Sequence, residues 1–449
     1  MGKRPRAMVL VVLGSGVAAP FACSDGSVAT DGGLDASPEA TSDGPVVLPD
    51  AGADASSDAD AAPRPEPSIQ IYASGDTSCA LSGTKLECWG ANVDSIFGPD
   101  AGQGYNQPVT VVSGVSPASA ALMIDHICAL SGTDVYCWGR NFEHQLGPLA
   151  TACATTDCMP TKINVSGTSQ LTGNYYYTCA LDNNQSIACW GVTDFGVLGS
   201  NAPDAASTAT PVAVSVLSGV AEIGGGYYHV CARKAQDGSV WCWGSNARGY
   251  LGTSTSGGPN GTDTMAHPTP VQVTLPKPAV RLAVGPYVGC ALHADGTVSC
   301  WGSNGFSPGT AQNGHDPLTS PPCAEGICDI NAALVAGLTN VRELALGGWH
   351  SCAVLQDDTV ECFGENIRGA LGHDPHLDNE AGAQSAVLQP KPVTGLTNVA
   401  HVAAGNAHAC AVTWDSKVYC WGNNNEGELG FPNDGGALGS FTPLQVQGL

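Results

Sequence analysis

The chain has 449 residues, 12% of them charged, with 40 acidic against 16 basic side chains and a net charge of −24. That balance excludes nucleic acid as a partner, because phosphate binding needs clustered Lys and Arg and no cluster is found beyond the first six residues. The 19 cysteines exclude a reducing compartment in which all would stand as free thiols.

Lys3, Arg4 and Arg6 precede an apolar run over residues 7–13, then small residues up to Cys23. This layout predicts a secretory signal peptide over residues 1–22, too short for a membrane span. No later stretch reaches about 18 uninterrupted apolar residues, so no transmembrane helix is expected. Pro20-Phe21-Ala22-Cys23 resembles a bacterial lipobox, although Pro20 and Phe21 depart from the usual residues. The resemblance implies that Cys23 becomes a lipid-modified N-terminus, and Cys23 is the cysteine left over when all others pair. Residues 24–67 carry ten acidic side chains, one Arg and no aromatic. Such a segment cannot bury enough apolar surface to fold, so residues 23–67 are expected to be a disordered, lipid-anchored linker. The protein is then exported and lipid-anchored to the bacterial cell envelope, or secreted if Cys23 is unmodified; the lipid is its only expected membrane contact.

From residue 68 to residue 449 one unit recurs. Its mark is a cysteine pair nine to eleven residues apart: Cys79 with Cys88, Cys128 with Cys137, Cys179 with Cys189, Cys231 with Cys242, Cys290 with Cys300, Cys352 with Cys362 and Cys410 with Cys420. Each unit starts with a β-like segment such as IQIYASG or VRELALGG. The cysteine hairpin and Trp-Gly-x-Asn follow. A variable loop then leads to a Pro-Val strand such as Pro211-Val212 or Pro270-Val271. Placing Cys79 opposite Cys88 leaves Gly83-Thr84 as a two-residue turn. Cys290 opposite Cys300 leaves Ala294-Asp295-Gly296, and Cys231 opposite Cys242 leaves a loop from Ala235 to Gly238. All are ordinary hairpin loops, so one cross-strand disulfide is expected in each unit. Zinc corners place cysteines closer together and in fours, so no metal is expected. Trp89, Trp138, Trp190, Trp243, Trp301, Phe363 and Trp421 follow the second cysteines. Neighbouring side chains on a strand face opposite ways, so each sheet would carry sulfur on one side and an aromatic ring on the other. Sheets that bury both faces by stacking around an axis make an all-β, seven-bladed β-propeller of four-stranded blades.

The unit Gly-x-x-His-x-Cys-Ala-Leu…Asp-Gly-x-Val-x-Cys-Trp-Gly-x-Asn…Gly-x-Leu-Gly resembles the regulator of chromosome condensation repeat, over all of residues 68–449. HVCARKAQDGSVWCWGSNARGYLG and HACAVTWDSKVYCWGNNNEGELG are the best copies. Departures are Thr193 in place of Asn in the third unit and Pro308-Gly309 where the fifth should have Leu-Gly. The resemblance implies a seven-bladed propeller. We also expect Pro443-Leu444-Gln445-Val446 to close the ring by joining the N-terminal blade. The nuclear namesake promotes nucleotide exchange on a small GTPase and contacts chromatin, partners that an exported chain would not meet.

His126, His229, His350 and His408 recur two residues before a first cysteine, which marks them as hydrogen-bonding members of the repeat rather than as catalysts. The stretch from His373 to Asp378, with His376, is a polar loop in which no metal is expected. Cys153 with Cys158 and Cys323 with Cys328 read as local loop disulfides. The longest loops, around residues 252–269, 305–334 and 367–391, are expected to share one face. There is no nucleophile motif in the repeats, no phosphate loop and no His-Glu-x-x-His. The expected function is a non-catalytic extracytoplasmic binding module, monomeric and without cofactor, engaging a protein or a cell-envelope polymer through propeller-face loops. The alternatives are a secreted inhibitor of a hydrolase such as a β-lactamase, and an enzyme with its site at the propeller axis.

Overall fold

The computed structural model describes residues 64–93, 96–97, 104–111, 115–148, 158–199, 206–305, 311–374, 386–431 and 438–449. The expected signal peptide, Cys23 and the linker up to residue 63 lie outside them. Among the described residues there is no α-helix; 28 strands, numbered β1 to β28 in chain order, form seven four-stranded antiparallel sheets. Each sheet is made of four consecutive strands. The first blade is β1 (Ile69–Ser74), β2 (Thr77–Ser82), β3 (Lys85–Ala91) and β4 (Gly104–Thr110), in that order from the axis outwards.

The cysteines set the register. In all seven blades the two repeat cysteines are direct partners across the second and third strands. Cys79 stands opposite Cys88, Cys128 opposite Cys137, Cys179 opposite Cys189 and Cys231 opposite Cys242. Cys290 likewise faces Cys300, Cys352 faces Cys362, and Cys410 faces Cys420. Their Cα atoms lie 4.0–4.1 Å apart and their sulfurs are joined. Local sequence explains the rest of the unit. The glycine after each of these aromatic residues has positive φ, and a Cβ on Gly244 would sit 2.4 Å from the Tyr228 carbonyl oxygen, so no other residue fits. Between the second cysteine and that glycine the fourth strand slips register, as it does from Cys137 to Gly139, from Cys362 to Gly364 and from Cys420 to Gly422. The bulge on this outer strand is where Pro108, Pro211 and Pro270 fall, positions at which a missing N–H costs nothing.

Seven joints hold the ring. In each, the cystine of one blade packs against the aromatic residue of the next. Cys79 and Cys88 meet Trp138, Cys128 and Cys137 meet Trp190, and Cys231 and Cys242 meet Trp301. Cys352 and Cys362 meet Trp421, and the ring closes where Cys410 and Cys420 meet Trp89. Six indoles also donate Nε1–H to a backbone carbonyl of the preceding blade. Trp138 donates to Ile96 (2.9 Å), Trp243 to Val197 (2.8 Å), Trp301 to Tyr250 (3.0 Å) and Trp421 to Ala370 (3.0 Å). Phe363 has no such group. There Ser351 Oγ donates to the waiting carbonyl of Gln312 at 3.2 Å. Trp243→Phe copies that joint without the serine and is expected to lower stability by about 1–3 kcal/mol, read from urea denaturation. An unchanged midpoint would show that the bond contributes nothing.

Two sequence expectations need correction. β28 (Gly439–Gln445) does not join the first blade; it pairs with β27 (Val418–Asn423) inside its own blade. The blades close by face-to-face packing instead, with Ile69, Ile71 and Trp89 against Val412, Val418 and Val446, and Trp89 Nε1 donating to Glu428 O at 2.8 Å. A strand exchange is unnecessary because this joint is built like the other six. In the fifth unit Pro308-Gly309 lies outside the described residues, and Asn313-Gly314 occupies the Leu-Gly place, with Gly314 lying against Val335 and Phe363.

Residues 64–68 form a strap across the last two blades. Arg64 pairs with Asp358 at 2.6 Å and lies over the Trp414 ring at 4.7 Å. Glu66 meets His401 Nε2 at 3.1 Å, and Ser68 N donates to Ser416 Oγ at 2.9 Å.

Candidate functional site at the mouth of the axial channel

Antiparallel order decides which connections share a face. The turns between first and second strands and the loops between third and fourth strands emerge at one end, the loop face. The cysteine hairpins emerge at the other end, the hairpin face. The long stretches 252–269, 305–334 and 367–391 therefore gather on the loop face, apart from residues 306–310 and 375–385, which lie outside the described set. Cys323 and Cys328 are bridged there. This staple lies against the fourth blade's loop, with Ala324 N donating to Thr262 Oγ1 at 2.8 Å and Glu325 N to Ala247 O at 2.9 Å. Cys153 lies outside the described residues, so its pairing with Cys158 is not placed.

The two x positions of Gly-x-x-His form rings around the channel mouth. The outer ring reads Asp76, Asp125, Tyr176, Tyr228, Tyr287, Trp349 and Ala407 in blade order. Four consecutive blades thus place an aromatic residue at one structural position, and Tyr175 and Tyr227 extend the row inwards. Ring centroids run 5.4 Å from Tyr175 to Tyr227, 4.7 Å from Tyr227 to Tyr287 and 5.8 Å from Tyr287 to Trp349. Phe195 joins from the third blade's loop, 4.6 Å from Tyr228 and 42% exposed. The result is a continuous, partly exposed aromatic crescent spanning half the mouth. The hydroxyls of Tyr175, Tyr227, Tyr228 and Tyr287 stay protonated, since burial pushes their pKa values upwards.

The remaining arc is acidic. Asp76 accepts from Asn406 Nδ2 at 3.2 Å, and burial raises its pKa. Its charge acts on the hydroxyls of Tyr175 and Tyr227 across the mouth. Glu428 is buried beside it and is pushed up to about 7, chiefly by desolvation, with Asp76 adding to the shift. Asp125 is fully buried, bound to His126 Nδ1 at 2.8 Å, with the Arg140 guanidinium near it and over the Phe142 ring at 4.8 Å. Among the described residues, Arg140, Arg248 and Arg368 are the basic side chains of the loop face. The other lysines and arginines sit in the hairpins or the strand ends beside them, and in the strap.

Below the mouth the channel is lined by small and aliphatic residues of the innermost strands. A chamber of ≈ 240 Å³ touches Ser74, Thr172, Asn174 and Asn406, and a second of ≈ 310 Å³ touches Tyr72, Leu171, Val284 and Leu346. Tyr72 is the ionisable group on these walls, and its hydroxyl is occupied, donating to Gln70 Oε1 at 2.6 Å and accepting from Ala120 N at 3.2 Å.

The repeat histidines sit behind the mouth, fully buried. A Cβ on Gly226 would lie 2.2 Å from the His229 ring, which is why Gly opens the motif. His126 Nε2 meets Thr178 Oγ1 of the next blade at 2.9 Å, and His408 Nε2 meets Ser78 Oγ at 2.8 Å. At the matching places His229 and His350 face blades that carry Gly289 and Ala409, which offer no hydroxyl. The expected hydrogen-bonding role therefore holds for two of the four. Desolvation lowers His229 and His408 to about 3 and His350 to about 4, so all three are neutral. His373 Nδ1 lies 3.2 Å from Leu371 O, His376 is outside the described residues, and no three metal-ligating side chains converge among those described. Nor is any described helix long and apolar enough to cross a membrane. The paired cysteines suit an extracellular setting.

The crescent was missed in the sequence, although its signal was present: Tyr-Tyr, Tyr-Tyr, Pro-Tyr and Gly-Trp fill the variable positions of one motif in consecutive units.

Two family models, both described as Regulator of chromosome condensation (RCC1) repeat, match the chain, one at residues 220–249 and 399–428, the other at 237–292 and 357–412. Among curated proteins, the RCC1 domain-containing protein RUG3, mitochondrial, of Arabidopsis thaliana is 24% identical over 260 residues, 57% of this chain and 54% of that protein. Protein pim1 of Schizosaccharomyces pombe is 28% identical over 268 residues, 56% of this chain and 46% of that protein. The chain thus spans about half the length of these relatives. Among solved structures, Prp20p of Saccharomyces cerevisiae, described with its binding properties to Gsp1p and histones, superposes with a TM-score of 0.68 at 21% identity, covering 85% of this chain and 88% of that one. The repeat unit, the seven blades and these matches together show that the chain carries regulator of chromosome condensation repeats.

Proposed function

We propose that this protein is an exported binding module that engages another protein through the loop face of its propeller, held to the cell envelope by a lipid on Cys23 and the linker that follows. The observation that carries the reading is the aromatic crescent at the channel mouth. Partly exposed Tyr and Trp in a contiguous patch are the side chains that dominate protein interfaces, because they bury much area and lose little rotamer freedom. The loops around the crescent are stiffened by the Cys323–Cys328 bridge, which lowers the ordering cost of association. The relatives agree in kind, since Prp20p is described as binding proteins.

The test uses the full-length protein as bait for envelope extracts, with cross-linking and peptide mapping. A double variant, Tyr228→Ser with Trp349→Ser, is expected to lose the wild-type partner by about tenfold or more, whereas Lys417→Glu on the hairpin face retains it. The reverse pattern would place the interface on the wrong end of the disc.

A further inference from the structure

The charge around the crescent points to the kind of partner. We propose that the loop-face mouth receives an arginine-bearing polypeptide segment of the partner, with guanidinium groups lying over Tyr228, Tyr287 and Trp349 on the side of the mouth opposite Asp76. This rests on the reading of the loop face as the binding surface.

Three observations support it. First, the chain itself shows the arrangement: Arg140 lies over Phe142 at 4.8 Å and Tyr176 at 5.8 Å, with the Asp125 carboxylate beside it at 3.7 Å. A guanidinium stacked on an aromatic face with a carboxylate at its edge is thus already accommodated at one end of the crescent. At the other end, Tyr287 and Trp349 present the same ring chemistry. Secondly, basic side chains are distributed unevenly. Only Arg140, Arg248 and Arg368 among the described residues reach the loop face, and Arg248 and Arg368 are tied to Glu325 and Asn425. Asp76, by contrast, faces Asn406 and carries no ion pair among the described residues. Thirdly, burial raises the pKa of both Asp76 and Glu428, so ionising either carboxyl at the mouth carries a cost that no ion pair among the described residues offsets. A partner's cation would relieve that cost. A chain with net charge −24 also steers cations to any site it offers, which is why the test needs a control on the opposite face.

The experiment titrates the full-length protein into fluorescent deca-arginine, deca-lysine and deca-glutamate peptides at near-physiological salt and reads anisotropy. Deca-arginine is expected to bind more tightly than deca-lysine, because planar guanidinium stacks better than ammonium, and deca-glutamate is expected not to bind. The double variant Tyr228→Ser with Trp349→Ser should weaken deca-arginine by about tenfold or more. Asp76→Asn, which leaves the crescent intact, should weaken it by about threefold, and Asp237→Asn on the hairpin face by less than about twofold. No deca-arginine binding, an equal effect of Asp237→Asn and Asp76→Asn, or indifference to both loop-face variants would overturn the proposal. Deca-arginine should also displace the partner captured from extracts. If loop-face substitutions release that partner but deca-arginine does not compete, the inference is wrong while the loop face stands as the interface. If the partner ignores loop-face substitutions, the functional reading itself falls.

Discussion

Treatment of the folded protein with a thiol reductant is expected to leave the seven blade bridges intact, and to open them only when the ring itself comes apart. Their sulfurs are at the centre of the joints, and the cysteines are 0–1% exposed. Exchange requires a thiolate to reach the disulfide along its axis, so the bridges become available only through unfolding. Cys323, at 7%, sits closer to solvent, and its bridge to Cys328 should open first. Once the blade bridges open, recovery is not expected. Each closes a hairpin loop with a chain-entropy contribution of about 2–3 kcal/mol. Seven such contributions, about 14–21 kcal/mol together, match or exceed the whole stability of a typical domain, about 5–15 kcal/mol. Alkylation and intact mass across a urea series in dithiothreitol would check this. The expected record is one step, from at most the loop bridges reduced to all reduced, coincident with loss of β-structure. Bridge-by-bridge opening in native buffer would contradict the packing described above.

Glu428→Gln is expected to stabilise the protein above neutral pH and to flatten its pH dependence. The Glu428 side chain occupies the place held by Gln145 and Gln312 in the second and fifth blades. Those amides reach across to turn carbonyls of the next blade, Gln145 to Tyr175 O at 3.3 Å and Gln312 to Gly348 O. A carboxylate cannot donate in this way. Glu428 instead accepts from Asn423 Nδ2 and, at 2.8 Å, from Glu426 N, and desolvation lifts it from 4.5 to about 7. Because the folded state then holds its proton more tightly than the unfolded chain, stability is greatest below about pH 4.5 and declines as pH rises towards 7. At 1.36 kcal/mol per unit, the loss amounts to at most about 3 kcal/mol. Asp76, also raised by burial, acts in the same direction. The glutamine variant should match the wild type at acid pH and exceed it by about 1–3 kcal/mol at pH 8 in urea denaturation. Parallel curves across the whole range would mean that Glu428 is not desolvated as described.

The architecture was readable where the signal is local. Cysteines nine to eleven residues apart admit few antiparallel registers, so Cys79 opposite Cys88 and the turn at Gly83-Thr84 followed from hairpin geometry alone. The same reasoning placed Cys137, Cys362 and Cys420 against their partners, each beside an aromatic residue that had to face the other way. Features that depend on one blade meeting another were harder to read. Nothing in Ser78 or Thr178 says that a histidine of the preceding blade will seek its hydroxyl, and nothing in Gly289 says that His229 will lack one. Closure was misread because the repeat has no intrinsic phase: a unit that begins with its inner strand looks the same from within whether the last strand stays or crosses. The crescent escaped notice because Tyr176, Tyr228, Tyr287 and Trp349 are neighbours only once the ring exists. A column through the repeats at the variable positions, rather than along the conspicuous ones, would have found it.

The strap at residues 64–68 makes the two ends of the disc unequal. It runs over the hairpins of the sixth and seventh blades, gripping Asp358, His401 and Ser416. Part of the hairpin side is thus already occupied by the chain's own residues, whereas the tyrosine-lined side carries no such cover from residues 64–68 and stays open to an incoming chain.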